Sequence, residues 1–237
     1  MNTPFQFKQF IVNQDRCAMK IGTDGVLLGA WVSLKEEPST ILDIGAGTGV
    51  ISLQLAQRSH SETIDALEID QNGYEQCTEN FEASPWADRL FCYHASAQEF
   101  ALEIEDNYDL IISNPPFFTE DYKTQDIARD KARFAESLPF EHLVAVVHHR
   151  LSKKGTFALI LPKREEVNFI ELASDAGLFP KRICRVRGTE NTEEKRSMLE
   201  FTFKKTEPII EHLTIEISRH QYTQIYIDLV KDFYLKM

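Results

Sequence analysis

From residue 41 the chain alternates short apolar runs with stretches of helical character, and few folds accommodate that rhythm. TILDIG (40–45), TIDALEID (63–70), RLFCYHA (89–95), YDLIIS (108–113) and GTFALILP (155–162) read as buried strands. Helical patterns fill the gaps at 49–58, 71–83, 139–151 and 165–177, the third opening with Pro139 and the last closing at Gly177. Strands joined by helical crossovers predict a parallel sheet with helices on both faces. ICRVRG (183–188) and SMLEFTFKK (197–205) alternate and lie close together, which predicts an antiparallel hairpin at the sheet edge. The expected architecture is therefore α/β, a mostly parallel seven-stranded sheet. All 237 residues are expected to form one domain, with an N-terminal extension (1–40) and a C-terminal extension (206–237) carrying a helix near 221–235.

Composition narrows the setting. No run of 18 apolar residues exists, and the N-terminus lacks a basic stretch leading into an apolar core. Cys17, Cys77, Cys92 and Cys184 form no CxxC pair, and the seven histidines show no ligand spacing. A cytoplasmic, reduced, monomeric protein with no metal and no membrane association is expected. The net charge of −11 argues against a polyanionic partner, but residues 150–205 hold 13 Lys/Arg against 8 Asp/Glu. A local basic field can act on an acidic protein.

The first strand runs into LDIGAGTGV (42–50), a glycine-rich turn entering a helix. Gly45, Gly47 and Gly49 permit close backbone approach to a ligand. A dinucleotide fingerprint needs glycine where this chain has Val50, and a phosphate loop needs a Gly-Lys-Ser/Thr ending that is missing. Asp43 precedes the turn. Glu68 closes the second strand, where a carboxylate can accept from two ribose hydroxyls, with Asp70 as its rival. A nucleoside without a pyrophosphate fits better than NAD, and S-adenosylmethionine is such a ligand. Packing alone also produces glycine turns of this kind.

The fourth strand ends in Ser113-Asn114-Pro115-Pro116, followed by Phe117 and Phe118. It should lie beside the first strand, where the order of a doubly wound sheet reverses and a cleft opens. An exocyclic amine on an aromatic ring has a delocalised lone pair. Acceptors on its two N–H groups favour a pyramidal, nucleophilic nitrogen, and the Asn114 side-chain oxygen with the Pro115 carbonyl can serve. Phe117 can stack on the base. A strand-terminating turn with two core phenylalanines is the competing reading.

These motifs resemble the class I S-adenosylmethionine-dependent methyltransferases bearing N-P-P-[YF], a Rossmann-like fold. FKQFIVNQDRCAMKIGTDGVLLGAW (7–31), ASPWADR (83–89), LIISNPPFF (110–118) and FYLKM (233–237) are similar to the bacterial tRNA1(Val) adenine-37 N6-methyltransferase family. The resemblance implies methylation of an adenosine in a valine tRNA. It implies a catalytic set of Asn114, Pro115, Pro116 and Phe117. The implied cofactor set is Thr23, Asp24, Asp43, Gly45, Gly47, Gly49, Glu68, Ser96 and Asn114. Thr23 or Asp24 reads equally as the cap of a helix through GVLLGAW. Ser96 stands where the family commonly has an aspartate for the adenine amino group, and Phe117 replaces the commoner tyrosine. Other substrates of the motif group are DNA adenine, ribosomal RNA guanine and a protein glutamine, and a non-catalytic binding module is a further class.

For RNA contact the candidates are Lys123, Arg129 and Arg133 in the polar stretch 119–137, and Lys163, Arg164, Arg185 and Arg187 after the fifth strand and in the late hairpin. Lys181-Arg182 and Lys195-Arg196 belong to the same basic region.

Overall fold

A computed structural model describes residues 3–116 and 138–237. Among the described residues eight strands form the central sheet, in the order β10-β8-β9-β7-β6-β3-β4-β5. Its strands are β3 (Thr40–Ile44), β4 (Thr63–Glu68), β5 (Leu90–His94), β6 (Tyr108–Ser113), β7 (Leu151–Pro162), β8 (Phe179–Arg187), β9 (Glu194–Thr202) and β10 (Ile209–Thr214). Small two-stranded pairs β1 (Phe5–Gln6) with β2 (Ile11–Val12), and β11 (Glu216–Ser218) with β12 (Gln221–Tyr222), flank it.

All neighbours in the large sheet run parallel except across β9, which is antiparallel to β7 and β8. The expected hairpin is present as β8–β9, but it lies inside the sheet. β10 pairs parallel to β8 and forms the edge, so the sheet has eight strands where the sequence reading gave seven. Only Leu213 of β10 is buried, so its apolar pattern carries little signal.

The helices are α1 (Thr23–Trp31), α2 (Val50–Arg58), α3 (Gln71–Glu82), α4 (Ala97–Glu103), α5 (Phe140–Arg150), α6 (Glu166–Asp175) and α7 (Gln224–Val230). α7 is shorter than the expected 221–235. Central strands are covered on both faces, which is why they read as unbroken apolar runs. Strand alternation then sorts each strand between two cores. Ile41 and Ile112 join one core with Val26 of α1 and Leu53 of α2, while Leu42 and Ile111 join the other with Leu143 and Phe169 of α5 and α6.

Gly49 is the N-cap of α2 and sits at φ 78°, in the left-handed region. A Cβ there would stand 2.5 Å from Phe81 Cε1 and 2.8 Å from Cys77 Sγ, so the turn is pressed directly onto α3. Gly45 also has positive φ, but a Cβ on it would meet nothing within 4 Å. Gly49→Ala is therefore expected to cost roughly 3 kcal/mol or more, from strain plus overlap, against about 1–2 kcal/mol for Gly45→Ala. Urea denaturation of the two variants checks the order.

Candidate functional site

β3 lies between β4 and β6, so the sheet order reverses beside it and a crevice opens at its carboxyl end. Alternation points Asp43, Glu68 and Asn114 to one face, the side of α1, α2 and α3. Ser113 points the other way, and its hydroxyl donates to the Ile44 carbonyl at 2.8 Å, tying the two strand ends together.

Asp43 is fully buried. Its Oδ2 accepts from the Ser52 hydroxyl at 2.7 Å, while Oδ1 has no partner among the described residues. Burial, only partly offset by the Ser52 hydrogen bonds, pushes the Asp43 carboxyl up to about 7. Glu68 and Asp70 divide their work. Glu68 Oε2 accepts from the Gly47 N–H at 2.8 Å and Oε1 from the Asp70 N–H at 2.9 Å, so its carboxylate faces the glycine loop. Asp70 caps α3, its Oδ2 accepting from the Gly73 N–H at 2.7 Å. Geometry thus favours Glu68 over Asp70 as the residue that faces a ligand on the loop. Gly45, Gly47 and Gly49 all have positive φ, and a Cβ on Gly45 or Gly47 would meet nothing within 4 Å, leaving the loop's outer side open.

Asn114 is half-buried, Pro115 buried and Pro116 exposed. A Cβ added to Gly25 of α1 would stand 3.8 Å from Asn114 Nδ2 and 3.4 Å from Val50 Cγ1. The first turn of α1 therefore reaches both the Asn114 side chain and the start of α2. Thr23 and Asp24 open α1, but neither caps it: the N-cap is Gly22, without a side-chain bond. Asp24 Oδ2 instead accepts from Arg196 Nε at 2.7 Å. Ser96 is the N-cap of α4 in a reciprocal capping box with Glu99, so its hydroxyl is engaged within its own turn. Phe117 and Phe118, with Lys123, Arg129 and Arg133, lie outside the described residues.

The basic region divides in two. Lys181 and Arg182 lie at the amino end of β8, away from the crevice, where Arg182 stacks 3.9 Å from the Trp31 ring centroid and pairs with Glu200 at 2.9 Å. Lys163, Arg164, Arg187, Lys195 and Arg196 stand at the opposite end, with Pro162 of β7 paired to Arg196. Arg185 is there too, but it is committed to the buried Glu166, which Lys163 also approaches at 3.3 Å. Burial alone raises the Glu166 carboxyl, and the Arg185 and Ser197 hydrogen bonds outweigh it, holding the group below its usual range. Arg187 donates to Thr214 Oγ1 at 2.8 Å and to the Glu190 carbonyl at 3.0 Å.

The sequence reading missed Ser52, Glu166 and the Asp24–Arg196 pair, none of which has a distinctive local spacing. It also passed over Ser-Ala-Gln-Glu (96–99), whose capping-box pattern marks α4. Among the described residues no helix is long and apolar enough to cross a membrane, and no group of three or more His/Cys/Asp/Glu is placed to hold a metal ion.

The family model for the methyltransferase small domain matches residues 26–167. A protein of Christiangramia forsetii named tRNA1(Val) (adenine(37)-N6)-methyltransferase is 59% identical over all of this chain and 99% of its own. A protein of the same name from Bacteroides fragilis is 45% identical over the full length of both. The chain belongs to the tRNA1(Val) (adenine(37)-N6)-methyltransferase family. Solved structures bear out the expected class I methyltransferase fold of this family member. A predicted O-methyltransferase from Agrobacterium tumefaciens superposes with TM-score 0.69, at 17% identity over 89% of this chain and 96% of that one. A ribosomal protein L11 methylase from Lactobacillus delbrueckii gives TM-score 0.54, at 12% identity over 76% and 77%.

The buried Asp43 has a measurable consequence. Its folded-state value near 7 lies above the unfolded value of about 3.9, so between them the folded chain holds a proton that the unfolded chain has released. Stability from this group therefore falls as pH rises from about 4 through 7. Asp43→Asn should flatten the loss between pH 5 and pH 8, read from thermal transitions of the ligand-free protein.

Proposed function

We propose that this chain transfers a methyl group from S-adenosylmethionine to N6 of an adenosine in tRNA, adenosine 37 of a valine tRNA. The observation that carries the reading is the position of Asn114. It stands at the reversal point of the sheet, beside the glycine loop, on the same face as Asp43 and Glu68. The names of the full-length relatives supply the substrate.

The residues present suit that donor. S-adenosylmethionine is a nucleoside with a cationic sulfonium and an amino-acid tail, and it supplies the electrophilic methyl group when bound. The open side of Gly45 and Gly47 gives room for close approach, and Glu68 is the acceptor for ribose hydroxyls, reached as the loop turns past it. Asp43 beneath the loop keeps one carboxylate oxygen without a partner among the described residues. Asn114 and Pro115 are the acceptors for the target amino group. By taking its two N–H groups they raise the electron density on nitrogen and aim its lone pair at the methyl carbon. Proline at 115 fixes φ and Pro116 after it restricts ψ, which together hold the carbonyl direction. The proton leaves the alkylated nitrogen after transfer, when it is acidic, so no strong base is needed.

Support for an RNA track comes from Lys163, Arg164, Arg187 and Lys195, all at the carboxyl end of the sheet. Two strand spacings separate β9 from β6, about 10 Å, which is within reach of the phosphates flanking a base presented to Asn114.

The test is transfer of a labelled methyl group to total small RNA, with DNA, ribosomal RNA and a release-factor protein in parallel. Label in N6-methyladenosine from tRNA is the expected result, and label confined to DNA, ribosomal RNA or protein would overturn the substrate. Glu68→Gln should raise the cofactor KM about tenfold or more while kcat stays within about twofold, and Asp70→Asn should move the KM much less. Lys163→Ala with Lys195→Ala should raise the tRNA KM and lower the slope of log KM against log salt by about 1–2, without changing the cofactor KM.

A further inference from the structure

Asn80, near the end of α3, belongs to none of the motifs above, and it is almost wholly buried. Every hydrogen-bonding atom of its carboxamide is used. Nδ2 donates to the Thr48 carbonyl at 2.9 Å and to the Asn13 carbonyl at 2.9 Å, while Oδ1 accepts from the Asn13 N–H at 2.8 Å. One side chain therefore grips the glycine loop and the N-terminal segment together. One turn earlier on the same face, the buried Gln76 accepts from the Arg16 N–H at 2.8 Å. Arg16 in turn pairs with Glu75 and Glu79 of α3. Gln14 Oε1 accepts from the Ile21 N–H at 3.0 Å, closing the segment on itself.

The path of this segment gives the bonds their meaning. It follows α3 from Asn13 to Arg16, ending one turn from Gly73, where a Cβ would stand 3.0 Å from Glu68 Cγ, and then passes Cys17. Burial, followed by the charges of Glu68 and Asp70, pushes that thiol up to about 12. It then enters α1, whose Gly25 packs toward Asn114. Residues 13–22 thus connect the face of α3 next to Glu68 with the start of α1 next to Asn114. The attachment is made chiefly to backbone groups, so it fixes where the strap runs whatever its exposed side chains are.

We infer that Asn80 is a positioning residue for the methyl donor, holding residues 13–22 and the glycine loop in register so that both close on one adenosyl ligand. The inference rests on the cofactor reading above. Loss of the register costs ligand affinity and leaves the chemistry at Asn114 intact, because Asn80 does not approach the amine site.

The experiment uses the full chain and S-adenosylhomocysteine, the donor without its methyl group, as the probe. Binding is measured by calorimetry, and tryptic cleavage after Arg16 and Lys20 is followed by mass. In the unaltered chain the probe should slow both cleavages several-fold. Asn80→Asp keeps the shape but replaces the two donated hydrogens with an acceptor facing two carbonyls. It should raise the probe Kd about tenfold or more and abolish the protection, with tRNA affinity in the absence of cofactor unchanged. Asn13→Pro removes the strap N–H from outside α3 and also locks the local backbone, so it loosens the same attachment even if Asn80→Asp fails to fold, and it should shift Kd in the same direction. Both variants binding the probe as tightly as the parent, or a parent strap left unprotected by bound probe, would overturn the inference. A parent chain that does not bind the probe at all would overturn the cofactor reading, and this inference with it.

Discussion

The parallel pairing of β3 with β6 is the constraint on which the site depends. Ile41, Leu42, Asp43 and Ile44 lie opposite Leu110, Ile111, Ile112 and Ser113 in register. That register brings the glycine turn and the Asn-Pro-Pro segment out at one level. Because side chains alternate, it also fixes which of them share a face. A slip by one residue would turn Asn114 toward the opposite core and separate it from Gly25. The Ser113 hydroxyl on the Ile44 carbonyl reinforces the pairing at the point where the ladder ends.

The charge around the crevice is consistent with the ligand class. Glu68 lies at the loop and Asp70 caps the next helix, while Asp43 is raised toward neutrality by burial and Asp24 is paired with Arg196. Such a site disfavours a pyrophosphate and favours a cationic nucleoside, in agreement with the loop spacing that excluded a dinucleotide. Positive charge is concentrated one to three strands away, on β7, β8 and β9. A chain with net charge −11 can therefore keep the acidic groups around the glycine loop apart from a basic surface, at one end of one sheet.

Much of this was legible from residue order. Central strands buried on both faces leave continuous apolar runs, so β3, β4, β6 and β7 were placed to within a few residues. Glycine spacing and the N-P-P segment located the crevice because only certain backbones tolerate those residues there. What escaped notice had weak local signals. β10 buries a single side chain, and its edge place follows from a long-range pairing with β8. Glu166 and Asn80 are polar residues in amphipathic helices, and nothing nearby in sequence announces that they bond to Arg185 or to residue 13. The ion pair of Arg185 had no local signal for the same reason. Its acid lies 19 residues away in sequence and becomes a neighbour only through the α6–β8 packing.

The central claim is that Asn114 acts on the amine in the transition state. Single-turnover methyl transfer by Asn114→Ala, with cofactor and tRNA both saturating, tests it most directly when paired with the cofactor Kd of the same variant. The account predicts a rate constant lowered about a hundredfold or more with the Kd changed by only a few-fold, because the lost bonds belong to the reacting nitrogen. A near-normal rate constant, or a loss confined to the Kd, would contradict it.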